Sequence, residues 1–158
     1  MIFVTLGFQK FPFDRLLQEL DRLIEAGVIA EPVFAQTGYC TYAPKQFPFE
    51  PFLDRDTFAA KLQEADTVIT HAGTGAIIGA VKAGKKVIAV PRLSKYGEHV
   101  DDHQTQIIAQ FNDLNLIAGL DGVEQLEAAV RELPARQFGS YQSNTHRIIR
   151  DIEEFLGG

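Results

Sequence analysis

A β-branched run that empties straight into a two-glycine turn, followed at once by an apolar helix, constrains this chain more than any other feature. The stretch is Asp66-Thr67-Val68-Ile69-Thr70-His71-Ala72-Gly73-Thr74-Gly75-Ala76-Ile77-Ile78-Gly79. Residues 67–70 read as a buried strand. Gly73 and Gly75 leave the backbone bare, so a ligand can approach the amides closely. The helix that begins there has unpaired N–H groups and partial positive charge in its first turn, which suits a phosphate or diphosphate. Neither standard nucleotide fingerprint fits. No Gly-Lys-Ser/Thr ending follows, and Gly73, Gly75 and Gly79 give Gly-x-Gly-x-x-x-Gly rather than Gly-x-Gly-x-x-Gly. On the glycines alone, the stretch is equally a tight βα turn with no ligand.

The 158 residues fit one domain, long enough to bury a core without disulfides or a metal. A formal charge of −6 and the absence of any Lys/Arg-rich run argue against nucleic acid as a partner. Cys40 is the single cysteine, which excludes a disulfide framework or a zinc cluster within one chain and leaves it as a small, buried or half-buried side chain. The opening Met-Ile-Phe-Val-Thr-Leu-Gly reads as a core strand rather than a signal peptide. No apolar run approaches the roughly 20 residues that span a bilayer. The expectation is a cytoplasmic protein whose membrane contact comes through a partner or a surface patch.

Periodicity lays out the remaining elements. Residues 2–6 form a strand closed by Gly7. Residues 13–26 form an amphipathic helix, with Leu16, Leu17, Leu20, Leu23 and Ile24 at helical spacing, Pro12 and Asp14 at its start and Gly27 as its stop. A strand at 32–36 follows. The segment 37–53 holds three prolines, two tyrosines and three phenylalanines without periodicity, and reads as a functional or mobile loop or as an aromatic cover for the sheet edge. Asp56 then caps a helix to about residue 65. A helix at 76–83, a strand at 86–90 closed by Pro91, a helix at 102–111, a strand at 116–118 and a helix at 123–133 ended by Pro134 come next. A last helix, about 142–156, carries the stripe Ile148, Ile149, Ile152, Phe155 and Leu156. Strands alternating with helices imply an α/β fold: a Rossmann-like open parallel sheet with helices on both faces. Ligands of such sheets sit beyond the carboxyl ends of the strands, which gathers Gly7, residues 71–75 and residues 91–104 at one edge.

The second constellation is Gly97-Glu98-His99-Val100-Asp101-Asp102-His103-Gln104. His99 and His103 stand four apart, but the glutamate of His-Glu-x-x-His is missing, which weighs against a metal. Two readings remain: a solvated helix start capped by Asp101 or Asp102, or a carboxylate and an amide, Asp102 and Gln104, addressing sugar hydroxyls. His71 is the titratable group beside the glycine loop and the candidate catalytic residue; a loop-shaping or sugar-contacting role is the alternative.

These segments, Thr5-Leu6-Gly7, His71-Ala72-Gly73-Thr74-Gly75, residues 84–91 and Asp102-His103-Gln104, resemble the donor-binding half of GT-B glycosyltransferases. The resemblance is to glycosyltransferase family 28, the MurG-like C-terminal domain. Residues 36–44 and 96–104 point within it to the single-domain, PssE-type exopolysaccharide subunits. The resemblance implies an inverting transferase that takes a UDP-sugar as substrate, uses no cofactor and needs no metal. The diphosphate would lie on the Thr74/Gly75 helix start, with Gly73 in the turn and Gly7 closing the other side. Arg92 would steady a phosphate or a uronate carboxylate, Asp102 and Gln104 would address the sugar, and His99 and His103 would belong to the same donor-binding segment. It further implies a lipid-linked saccharide acceptor, a membrane-attached PssD-type subunit carrying the acceptor half, and recruitment to the inner face of the membrane through that partner.

In these families the base comes from the acceptor half, and the terminal helix contributes to the partner interface. In isolation its stripe invites self-association into a homo-oligomer. The chain departs from the pattern at Gly79, where these families carry an acid that holds the ribose hydroxyls. Losing that acceptor weakens ribose binding by about 1–3 kcal/mol unless another group replaces it. The competing function is a non-catalytic nucleotide-binding or scaffold module.

Overall fold

The computed structural model of the chain describes residues 1–6, 13–71, 74–91 and 103–139. The strands are β1 Ile2–Thr5, β2 Val33–Gln36, β3 Phe49–Glu50, β4 Thr67–Thr70, β5 Lys86–Ala89 and β6 Ala118–Gly119. The helices are α1 Asp14–Glu25, α2 Arg55–Glu64, α3 Thr74–Lys82, α4 His103–Asp113 and α5 Leu126–Glu132. The strands make one sheet in the order β3-β2-β1-β4-β5-β6, and every pairing in it is parallel.

Side-chain alternation along these strands splits the core into two layers. Ile2, Val4, Ile69 and Ile88 pack on one face against Leu16, Leu17, Leu20 and Leu23 of α1 and Leu126 of α5. Phe3, Val68, Val87 and Ala89 pack on the other against Ile77 and Val81 of α3 and Ile108 and Phe111 of α4. Phe58 and Leu62 bring α2 onto this second face, where Phe58 meets the edge of Phe3 at 5.2 Å between ring centroids. Helices therefore cover both faces, as the alternation implied. Ile69 sits at the centre with no exposure; truncating such a residue to alanine costs about 2–5 kcal/mol.

β1 pairs with both β2 and β4, so the chain winds outward in opposite directions from the β1/β4 seam. Right-handed crossovers then put α1 and α3 on opposite faces, and it is beyond the carboxyl ends of the strands at such a seam that open sheets bind their ligands.

Several elements differ in detail from the sequence pattern. The cap of α2 is Asp54 rather than Asp56: its carboxylate accepts the Thr57 backbone N–H at 2.7 Å, from extended backbone. That hydrogen bond holds the Asp54 carboxyl below its ordinary range. The strand expected at 116–118 pairs only at Ala118–Gly119. Asn115 turns the chain at φ 55, and Leu116 and Ile117 are buried in the second core layer. A Cβ on Gly119 would lie 2.6 Å from Ile108 Cγ2, so glycine there lets α4 lie close to β6. The helix expected at 123–133 is a 3₁₀ turn, then α5, then a second 3₁₀ turn at Leu133–Ala135 that contains Pro134. Gly84, at φ 74, turns the chain from α3 into β5. The terminal helix expected at about 142–156 lies outside the described residues. No helix among those residues is long and apolar enough to cross a membrane.

Candidate functional site

All six described strands run parallel, so their carboxyl ends share one edge. His71 follows β4 there directly; it is 5% exposed, and its Nδ1 is sealed from solvent. The backbones of Thr74 and Gly75 open α3 at this edge, and those of His103 and Gln104 open α4. Both helix starts therefore lie at the same edge, since α3 and α4 are the consecutive crossovers from β4 to β5 and from β5 to β6. Gly7, Gly73, Arg92, His99 and Asp102 lie outside the described residues.

Of the helices that begin at this edge, α1, α3 and α4 follow β1, β4 and β5, and the charges of their first turns differ. α1 carries Asp14 in its first turn. The Asp14 carboxylate accepts the Thr41 and Tyr42 backbone N–H groups at 2.9 Å each and the Thr41 hydroxyl at 2.6 Å, while the Phe13 N–H donates to Cys40 Sγ at 3.2 Å. The start of α1 is therefore covered by the chain's own loop and carries a negative charge. Neither α3 nor α4 has an acidic residue in its first turn. An incoming anion meets partial positive charge at the start of α3 and a carboxylate at that of α1, while Asp101 and Asp102 directly precede α4 in sequence.

A chain of side-chain hydrogen bonds pins the same edge. The Thr70 hydroxyl donates to the Thr5 carbonyl at 3.1 Å, the Thr5 hydroxyl to Gln36 Oε1 at 3.0 Å, and Gln36 Nε2 to the Pro51 carbonyl at 2.8 Å. The last residues of β4, β1 and β2 are thus tied to the loop after β3. Buried hydrogen bonds of this kind hold their neighbours because breaking one leaves a desolvated polar group behind.

The loop at 37–53 is more ordered than its sequence suggested. Phe49–Glu50 pairs with Ala35–Gln36 as the edge strand β3. Asp21, buried on the apolar side of α1, accepts the Tyr42 hydroxyl at 2.6 Å and the Lys45 and Gln46 backbone N–H groups at 2.9 and 3.0 Å. The hydrogen bond to Asp21, then burial, then the carboxylate's charge hold the Tyr42 phenol above its ordinary range. Reading the sequence missed this clamp. The signal was an acid, Asp21, set among Leu17, Leu20 and Ile24 and two helical turns after Asp14.

Among the described residues no three His, Cys, Asp or Glu side chains converge as metal ligands would. Cavities of about 400 and 670 Å³ open at the opposite, amino-terminal edge of the sheet, where Lys85 and Lys86 line both. Their ammonium groups donate to the Gln63 and Leu133 carbonyls at 3.1 Å each, so they serve the carboxyl-terminal ends of α2 and α5. The sheet topology, and not cavity size, marks the candidate site, because ligands of open parallel sheets bind beyond the carboxyl ends of the strands.

The sequence matches the glycosyltransferase family 28 C-terminal domain over residues 1–152. No curated protein matches it significantly. Among solved structures it is similar to the glycosyltransferase of kitacinnamycin (TM-score 0.59, 15% identity) and to CalG4, the calicheamicin glycosyltransferase (0.56, 18%); each likeness covers 99% of this chain and 39% of the other. MurG of Acinetobacter baumannii superposes with a TM-score of 0.56 at 19% identity, over 96% of this chain and 49% of that one. These neighbours are GT-B glycosyltransferases, and at such identities the likeness is one of fold. The chain spans less than half the length of each.

Proposed function

The chain belongs to glycosyltransferase family 28 by its C-terminal domain, and from that premise we propose that it is the donor-binding, catalytic half of a two-part glycosyltransferase that uses a UDP-sugar. The observation that carries this reading is the acid-free start of α3, directly after β4 at the point where strand order reverses. Backbone N–H groups there suit the donor diphosphate, and they stabilise the charge that develops on it as the glycosidic bond breaks. In this reading the acceptor hydroxyl oxygen attacks the anomeric carbon, the bond to the diphosphate breaks, and UDP leaves with the electron pair. The hydroxyl proton passes to a base from the acceptor half, while His71 shapes the loop beneath the donor. Gly7 and Gly73 allow the backbone to come close to the phosphates, Arg92 steadies a phosphate or a uronate carboxylate, and His99, Asp102, His103 and Gln104 face the sugar.

GT-B neighbours more than twice as long supply the argument for a second half. We assign that half to a membrane-attached PssD-type partner, with a lipid-linked saccharide as acceptor in exopolysaccharide synthesis and the present chain recruited to the membrane's inner face. Calorimetry with UDP-glucose, UDP-galactose, UDP-glucuronate and UDP-N-acetylglucosamine tests the donor assignment: one of them binds and raises the melting temperature. Binding of none, with the partner present, overturns it. Transfer activity is expected only with the partner co-expressed, so rapid turnover by this chain alone refutes the split arrangement.

A further inference from the structure

Tyr39 and Phe52 are the large hydrophobic side chains left exposed among the described residues, at 52% and 45% of their surface. They are not scattered. The rings meet edge to face, 5.4 Å apart at 73°, and form a corner with one aromatic face as its floor. Tyr39 follows β2 and Phe52 follows β3, so both stand at the carboxyl edge that holds the candidate donor site.

The corner is preformed. Gly38 N–H donates to the Pro51 carbonyl at 2.7 Å, Thr37 N–H to the Glu50 carbonyl at 2.9 Å, and Cys40 N–H to the Thr37 carbonyl at 3.2 Å. Gln36 adds its side-chain hydrogen bond to the same Pro51 carbonyl, at 2.8 Å. Each aromatic residue is thus flanked by backbone held on the opposite loop, and little further ordering is needed when a ligand arrives.

We propose that the Tyr39–Phe52 corner is a saccharide-binding platform that seats one ring of an oligosaccharide acceptor beside the donor site. Saccharide binding stands on the corner itself; the word acceptor rests on the function proposed above. The area decides between a sugar and a protein. Two rings of about 150–250 Å² each, half exposed, offer about 200 Å². A stable protein interface needs about 800 Å² per partner. One face of a pyranose carries C–H bonds with slight positive charge, which complements the negative face of an aromatic ring. The ring hydroxyls find the Tyr39 hydroxyl and the exposed Glu50 carboxylate nearby in the chain. β3 lies three strand spacings, about 14 Å, from β4, whose junction with α3 is the candidate donor site. That offset suits an acceptor longer than one residue.

The test is an NMR titration of the ¹⁵N-labelled full chain with cellotetraose, maltotetraose and chitotetraose. Saturable shifts are expected at Gly38, Tyr39 and Phe52 for at least one of them. Tyr39→Ala or Phe52→Ala weakens binding about tenfold, with a melting temperature lowered by only about 1–6 °C from the lost ring pair, so the folded variants can be compared with the wild type. Tyr39→Trp keeps the platform and gives a chain without tryptophan a fluorophore that responds to the sugar. UDP titrated into the same samples is read at His71 and Gly75 and is unaffected by Phe52→Ala. No shift at the corner with any tetrasaccharide overturns the proposal. So does uridine shifting the corner in their place, or shifts there that depend only on protein concentration, the mark of a second copy. If the sugars bind and UDP does not, the platform stands and the donor reading falls.

Discussion

Replacing Gly79 by alanine and, separately, by glutamate asks whether the exposed side of α3 faces a nucleotide. Gly79 sits inside that helix, and a Cβ built on it meets no atom within 4 Å; the same holds for Gly75, one turn earlier on the same side. Neither substitution therefore has a steric cost. Alanine removes the glycine penalty of a helix interior, about 0.8–1.0 kcal/mol, which in a domain of this size raises the melting temperature by about 2–4 °C. Glutamate gives a somewhat smaller gain from the same source. If the ribose lies over this turn, the new carboxylate also accepts its two hydroxyls, worth about 1–3 kcal/mol, or about 5- to 150-fold in affinity.

Repulsion between that carboxylate and a diphosphate about 8 Å away is about 0.5 kcal/mol per charge in water. It is screened further at about 0.15 M salt, where the Debye length is also about 8 Å. Attraction wins over most of the range. Calorimetry with UDP on the wild type and both variants reads the result directly. Equal UDP affinity in the alanine and glutamate variants refutes the placement of the ribose over α3. A lower melting temperature for Gly79→Ala refutes the account of the helix itself.

Asp21→Asn puts an amide donor opposite groups that already donate. It should cost about 2–3 kcal/mol and lower the melting temperature by about 4–12 °C, checked by calorimetric melting. Tyr42, held above the ordinary tyrosine range, favours the folded state fully below the unfolded value of about 10. That contribution is lost as pH rises through the higher folded value; an absorbance titration should show one late tyrosine step, absent in Tyr42→Phe. Thr5→Val leaves Gln36 Oε1 without its Thr5 donor and should cost about 1–3 kcal/mol while weakening UDP binding, with Thr5→Ser restoring both. Loss of stability with unchanged UDP affinity would confine that hydrogen-bond chain to the fold.

The parallel sheet was legible because β-branched runs and helical stripes alternate cleanly, and residues 67–70 appear as β4 with no change in bounds. The helices that the same pattern placed at 76–83 and 102–111 appear as α3 at Thr74–Lys82 and α4 at His103–Asp113. Illegible were the features set by contacts distant in sequence. Phe49–Glu50 is two residues long and has no periodicity of its own; it is a strand because Ala35–Gln36 offers an open edge. Asp54 and Asp56 are equivalent as caps in sequence, and only the extended backbone at Asp54 separates them. The order of the 37–53 loop depends on Asp14 and Asp21, whose partners lie 24–28 residues away for five of their six hydrogen bonds.

The asymmetry between α1 and α3 carries the functional reading further than the fold does. Doubly wound topology supplies two helix starts flanking one seam, and either could hold an anion. In this chain the first is closed from within: Asp14 sits in its opening turn, three donors from the 41–42 backbone and the Thr41 side chain converge on that carboxylate, and Cys40 accepts the Phe13 N–H. The second has no acid in its opening turn and a glycine in it that leaves the backbone approachable. In the proposed reading, charge at the edge, rather than the shape of the sheet, is what favours the β4–α3 junction for a diphosphate. The internal filling of α1 has a second effect, since the loop that closes it also holds Tyr39 out at the rim. On the two proposals together, one arrangement of carboxylates would turn the anion toward α3 and leave the β2–β3 side of the edge to an apolar ring face.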